Sequence, residues 1–247
     1  MLTLLHTSPV HVAAFDALRD AEHPGVVLRH LVHEELLARA RAEGPGAVVA
    51  EVGAVLARAV DEGATAVLCT CSTIGDIAER AAPALGVPVL RVDRPMAGVA
   101  AAAGRVVVVA TVASTLGPTA DLVRDEAARQ RREPGPLLST VFVEGAWELF
   151  EAGDQDGYLA AVAAAVDRIP PPAVVVLAQA SMAAAAARVT GEVTVLAAPR
   201  TGLAAAVRAT RDPARGGARS GGHWERTAPV RRAGRSGPAP RTPGGEE

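Results

Sequence analysis

The 247-residue chain is predicted to be an α/β protein of two pseudo-symmetric lobes, each a short, mostly parallel sheet flanked by helices, with a cleft between them. Three observations predict this. Short runs of Val, Leu and Ala end in polar turns and alternate with segments of helical periodicity, the order that builds parallel sheets. The order then repeats: VVVLAQASMA from Val174 matches the pattern of VLCTCSTIG from Val67, so Gln179 falls where Cys71 fell, and the other equivalent pairs keep an offset of 104 to 108 residues. That period is too long for a solenoid and fits a duplicated half-fold. Finally, 49% of the residues are apolar but only 2% aromatic, so aliphatic packing alone must fill the core.

Leu2 to Leu5 reads as the first strand, ending in His6, Thr7, Ser8 and Pro9, a polar turn able to cap a helix over about 10–19. Val26 to Val32 reads as the second strand, finishing at His33, Glu34 and Glu35. Val48, Val49, Val52, Val55, Leu56, Ala59 and Val60 fall on one face of a helix, which is expected to pack on the sheet. A third strand should deliver Cys71 to its carboxyl end, followed by a helix over about 74–84 and a fourth strand through Val92. Asp93 to Met96 opens the next helix. The pattern restarts at Arg105: Val106 to Val109 leads into Ala110, Thr111 and Ser114, Val141 to Val143 runs into Glu144 and Gly145, and the Gln179 segment should continue as a helix to Gly191. The expected boundaries are a first lobe over 1–98, to which 199–210 can return, a second over 99–198, and a Gly/Pro/Arg-rich disordered tail over 211–247.

A formal net charge of −2 gives no nucleic-acid footprint over the whole chain, and every basic residue is arginine. Two cysteines spaced C-x-C argue against a disulfide framework, and no further Cys or His cluster completes a metal site. Without a basic leader or a long apolar segment, the expectation is a cytoplasmic protein that does not enter a membrane.

In open α/β sheets ligands bind at the carboxyl ends of the strands, where the next helix offers unpaired backbone N–H groups that favour anions and thiolates. This singles out Cys71. A lone cysteine in an apolar stretch is more often a small buried hydrophobe, and Cys69, deeper in the run and on the same face, suits that description. Position and repetition set Cys71 apart.

Cys71-Ser72-Thr73 after an apolar strand resembles the C-N-T/C-S-T signature of the aspartate/glutamate/hydantoin racemase superfamily, and Ala110-Thr111-x-x-Ser114 resembles its A-T-x-x-T carboxylate-binding turn. The likeness covers about residues 1–210 and is strongest to a branch with HTSPV-like starts, a Pro-Met turn and an AQASM segment, here His6 to Val10, Pro95-Met96 and Ala178 to Met182. Members of that branch are labelled racemases and sometimes arylsulfatases, but the C-x-P-x-R pattern of sulfatases is absent.

The resemblance implies an isomerase that needs no cofactor and acts beside the carboxylate of a small organic acid or amino-acid derivative, and relatives often form homo-oligomers. In the racemases one cysteine thiolate removes a proton and a second thiol returns one. Here Gln179 takes the second position, and an amide is neither acid nor base near neutral pH. Relatives that isomerise a cis-dicarboxylate use a first-lobe cysteine as nucleophile, and relatives that decarboxylate use a single cysteine in the second lobe. The expected ligand contacts are Thr7, Ser8, Ser72, Thr73, Thr111, Ser114, Thr115, Ala180 and Ser181, with helix capping as the alternative role for the hydroxyls. Glu144, at the matching strand end of the second lobe, is the candidate base in place of the missing thiol. Gln179 either orients a carboxylate or carbonyl or closes a degenerate site. His6 and His33 can tune a thiolate, although solvent exposure is expected for both. A protein that binds a small carboxylate without turning it over is the alternative to an enzyme.

Overall fold

The computed structural model describes residues 1–211. In the first half, β1 (Leu2–His6), α1 (Val10–Glu22), β2 (Leu28–Val32), α2 (Glu34–Glu43), α3 (Val49–Asp61), β3 (Ala66–Cys69), α4 (Gly75–Leu85), β4 (Val89–Arg91) and α5 (Arg94–Ala100) follow in order. In the second, β5 (Arg105–Ala110), α6 (Leu116–Arg129), β6 (Leu137–Phe142), α7 (Ala146–Glu151), α8 (Gln155–Asp167), β7 (Val174–Leu177), β8 (Thr194–Ala197) and α9 (Ala198–Arg211) do the same. The strands form two four-stranded parallel sheets ordered β2-β1-β3-β4 and β6-β5-β7-β8. The second order is the first with every strand replaced by its sequence counterpart. Even the closing bonds recur: Thr70 donates its N–H to the Leu5 carbonyl, and Ala178 donates its own to Val109.

Strands covered on both faces must be apolar nearly throughout, which explains runs such as RVVVVA in β5. Alternate residues then divide between two cores. Leu2, Leu4 and Leu68 of the first sheet and Val106, Val108 and Val176 of the second face one continuous core shared by both lobes, closed by α1, α5, α6 and α9. Val67 and Cys69 face a separate outer core under α3 and α4. Val107, Val109 and Val175 face its counterpart under α8. On α3 the buried residues Val52, Leu56 and Ala59 recur at helical spacing, and each fully buried Val or Leu stabilises the fold by about 1.5–3 kcal/mol.

Besides the shared core, an arginine cluster and helix α9 tie the lobes together. Arg94 hydrogen-bonds Glu79 of α4 through Nε at 2.6 Å and through Nη2, and reaches Asp125 at 2.9 Å and Glu126 at 2.6 Å on α6. Helix α9 packs on α5, β3 and α1, where a Cβ on Gly202 would lie 2.5 Å from the Val92 carbonyl oxygen, so only glycine permits this approach.

Several expectations change. β3 ends at Cys69, two residues short of Cys71, and β2 begins at Leu28 because Val26 bonds back to His23 in a turn. Helices α2, α7 and α8 add to the elements expected from the sequence, and the segment after β7 is a 3₁₀ helix over Ala180–Ala187, although alanine has the highest α-helical propensity. The turn after β1 supplies no side-chain cap to α1, and neither Ser72 nor Thr73 caps α4. The expected disordered tail lies, beyond Arg211, outside the described residues. Among the described residues no helix is long and apolar enough to cross a membrane.

Candidate active site

The carboxyl ends of β3 and β7 meet at one seam between the lobes. Ser72 is 9% exposed, and its hydroxyl donates to the carbonyl of Ala178 at 3.1 Å. This bond sets the turn Cys71-Ser72-Thr73 beside the turn Gln179-Ala180-Ser181. The hydroxyl of Ser72 is therefore spent on holding the lobes together.

The two cysteines have different surroundings. Cys69 is fully buried, its thiol donates to the Cys71 carbonyl at 3.6 Å, and burial pushes its pKa up, which suppresses the reactive thiolate. Cys71 is a free thiol that packs against the outer core of the first lobe yet remains partly exposed. Beneath its turn, Arg91 and Asp93 form a buried bidentate pair at 2.7 and 2.9 Å. Arg91 lies so close to Gly75 that a Cβ there would come within 3.0 Å of Arg91 Cβ, which explains a glycine at the start of α4.

Across the seam, the Gln179 side chain is held by its oxygen. Oε1 accepts from the Thr111 N–H at 2.8 Å, the Val112 N–H at 3.1 Å and the Thr111 hydroxyl at 3.0 Å. Backbone N–H groups only donate, so the atom facing them must be the amide oxygen, and the orientation of the amide follows. Its Nε2 has no hydrogen-bond partner among the described residues. The Thr111 hydroxyl lies 3.4 Å from the hydroxyl of Tyr158, which pairs with Ser181 at 2.8 Å. Tyr158 is fully buried, and burial raises its pKa, so the phenol stays neutral.

The first lobe is built differently at the same place. His6, expected to be exposed, is 0% exposed. Its Nδ1 lies 2.8 Å from the Thr70 hydroxyl and its Nε2 lies 2.9 Å from Nδ1 of His30, whose Nε2 faces Asp16 at 3.3 Å. Burial above all, and then the neighbouring His30 and His11, lower the His6 pKa to about 3, so the ring is neutral at ordinary pH. Thr7 is 7% exposed and makes no hydrogen bond among the described residues. Ser8 and Thr73 are half-buried.

Of the remaining candidates, Ser114 is exposed on a 3₁₀ turn, and Thr115 donates its hydroxyl to the Val112 carbonyl at 2.7 Å. Ala180 is half-buried. Glu144 is exposed beyond the edge strand β6, with β5 between it and β7, and no hydrogen bond joins it to Gln179. His33 pairs with Glu35 at 2.6 Å. Two open surface depressions, one lined by Met1, Leu2, Val26, Val27 and Thr210 and one beside Leu137 and Leu138, touch neither turn. Sequence reasoning missed Tyr158 and the pairing of His6 with His30. Tyr158 is the only tyrosine in the chain, which was the one available signal, but it lies on the unread helix α8.

Two four-stranded parallel sheets, related by an internal repeat and abutting at their carboxyl ends, define the two-lobed racemase fold. Among solved structures the chain is similar to glutamate racemase from Francisella tularensis in complex with D-glutamate, at 13% identity and TM-score 0.60 over 84% of this chain and 79% of that one. It is also similar to a glutamate racemase isoform from Bacillus anthracis, at 17% identity and TM-score 0.58 over 84% and 80% of the two chains. A third, allantoin racemase from Pseudomonas fluorescens, gives 18% identity and TM-score 0.53 over 85% and 91%. At these identities the likeness establishes the fold. No family model matches the sequence, and no curated protein matches it.

Proposed function

We propose that the protein is a cofactor-independent isomerase of the racemase type, acting next to the carboxylate of a small organic acid or amino-acid derivative through Cys71. The observation that carries this reading is the contrast between two neighbouring thiols: Cys69 is sealed in the core, whereas Cys71 is accessible at the seam where the strand ends of both lobes meet. Gln179, an amide with no acid or base function, holds the counterpart position, which favours single-thiol chemistry over a symmetric exchange between two cysteines. In the version best suited to these residues, the Cys71 thiolate adds to a carbon–carbon double bond conjugated with the carboxylate. The π electrons move into the carboxylate, rotation follows about the resulting single bond, and the C–S bond breaks to regenerate thiolate and alkene. Hydroxyls and backbone N–H groups around Thr7 and Thr73 would stabilise the charge that accumulates on the carboxylate. If the substrate is instead saturated, the same thiolate removes the α-proton.

A second reading, a carboxylate-binding protein that does not turn its ligand over, is favoured by the three hydrogen bonds that immobilise Gln179. Incubation in D₂O with a panel of small α-amino and unsaturated carboxylic acids, followed by proton NMR, separates the two. The isomerase exchanges α-protons or converts a cis alkene, and Cys71→Ala does not. A ligand that raises Tm equally in both proteins, without exchange or conversion in either, selects the binder.

A further inference from the structure

The internal repeat makes Thr7 the counterpart of Thr111 and Cys71 the counterpart of Gln179. In the second lobe the N–H groups of Thr111 and Val112 and the Thr111 hydroxyl converge on a single oxygen, Gln179 Oε1. Two consecutive N–H groups with a hydroxyl form a concavity suited to a carboxylate oxygen, and here a neutral side chain of the same protein fills it. In the first lobe the corresponding place has Thr7, more than nine-tenths buried and without a hydrogen-bond partner among the described residues, and the counterpart of Gln179 ends in sulfur rather than an amide. The second-lobe cradle is filled from within, whereas nothing among the described residues hydrogen-bonds the Thr7 hydroxyl at the equivalent turn.

We propose that Gln179 is a specificity-determining residue, a built-in occupant of the second-lobe cradle that restricts the site to ligands with one carboxylate, held from the Thr7 side. The inference rests on the reading above for placing the ligand beside Cys71. The chemistry of the occupant is informative. An amide oxygen accepts the same three bonds as a carboxylate oxygen but brings no charge, so a dicarboxylate gains nothing from its second group. The Nε2 of Gln179, without a partner among the described residues, is left as a donor toward an uncharged carbonyl or hydroxyl at the other end of the ligand.

The test compares the full-length wild type with Gln179→Ala, both ¹⁵N-labelled, using sodium acetate and the dicarboxylates from malonate to glutarate as probes. In the wild type, acetate should shift the amide resonances of Thr7 and Ser8 but not those of Thr111 and Val112, and no dicarboxylate should outcompete acetate by more than about twofold. In Gln179→Ala, acetate should also shift Thr111 and Val112, and at least one dicarboxylate should gain about tenfold or more over acetate, as expected for a newly paired charge. Equal responses of Thr111 and Val112 in both proteins, or in neither, overturn the proposal. If Gln179→Ala does not fold, Gln179→Asn serves with the same readout, because its oxygen stops one methylene short of the cradle. Adding Cys71→Ala distinguishes the two proposals: it abolishes exchange or conversion if the functional reading holds, and leaves the acetate responses in place whether or not that reading survives.

Discussion

The two lobes share strand order, register and core pattern, yet they differ where the strands end. The second lobe closes its turn with Gln179, Thr111, Tyr158 and Ser181 in one hydrogen-bonded set. The first leaves Cys71 accessible and Thr7 without a partner among the described residues, and places the buried His6, paired with half-buried His30, where the second has Ala110. A duplicated fold can thus tie down one strand-end turn by hydrogen bonds while the other holds the reactive group. Buried networks rigidify when fully satisfied, and an accessible thiol needs the opposite.

The largest effect expected from breaking this asymmetry is at Cys71. Cys71→Ala should lower the exchange or isomerisation rate by about 10²–10⁴-fold, while Cys69→Ala should lower it far less; single-turnover NMR with the responsive acid measures both. Acidification comes next. Unfolded His6 takes up a proton below its ordinary pKa of 6.5, whereas the folded ring resists until about 3, so stability is complete above pH 6.5 and falls as the pH drops toward 3. The slope should be at most about 1.4 kcal/mol per pH unit in urea titrations. His6→Ala, which gives the first lobe the residue its twin has, should flatten that slope.

Arg94→Ala should separate the lobes energetically without altering either sheet. It removes the bonds from α5 to Glu79 on one side and to Asp125 and Glu126 on the other, and the cost should be about 1–3 kcal/mol, reduced by the partial exposure of the cluster and by salt. Thermal unfolding at low and high ionic strength checks this. The smallest effect is expected from Tyr158→Phe. Loss of one phenol leaves Ser181 and Thr111 to find other partners and should cost about 1 kcal/mol. Hydrogen exchange should speed up at Thr111 and Val112 and stay unchanged at Thr7.

Much of the fold was legible because it depends on local periodicity. The Val-rich runs, the apolar face of α3 and the offset between the Cys71 and Gln179 segments specify strands, a packed helix and a duplication without reference to distant contacts. Helix α2, EELLARARAE, escaped because its apolar face is narrow and its first turn reads as the polar end of β2. Helix α8 escaped because alanine and valine run all round it, leaving no face to detect.

The candidate site was legible only as a set of strand ends. That Cys71 and Gln179 occupy equivalent places follows from the order of residues along the chain. That Ser72 bonds Ala178, that Gln179 is held by its oxygen, and that His6 is buried against His30 were decided by the tertiary structure alone. These contacts join residues 106, 68 and 24 positions apart, and hydrogen-bond geometry at such separations depends on how the sheets abut rather than on any local pattern.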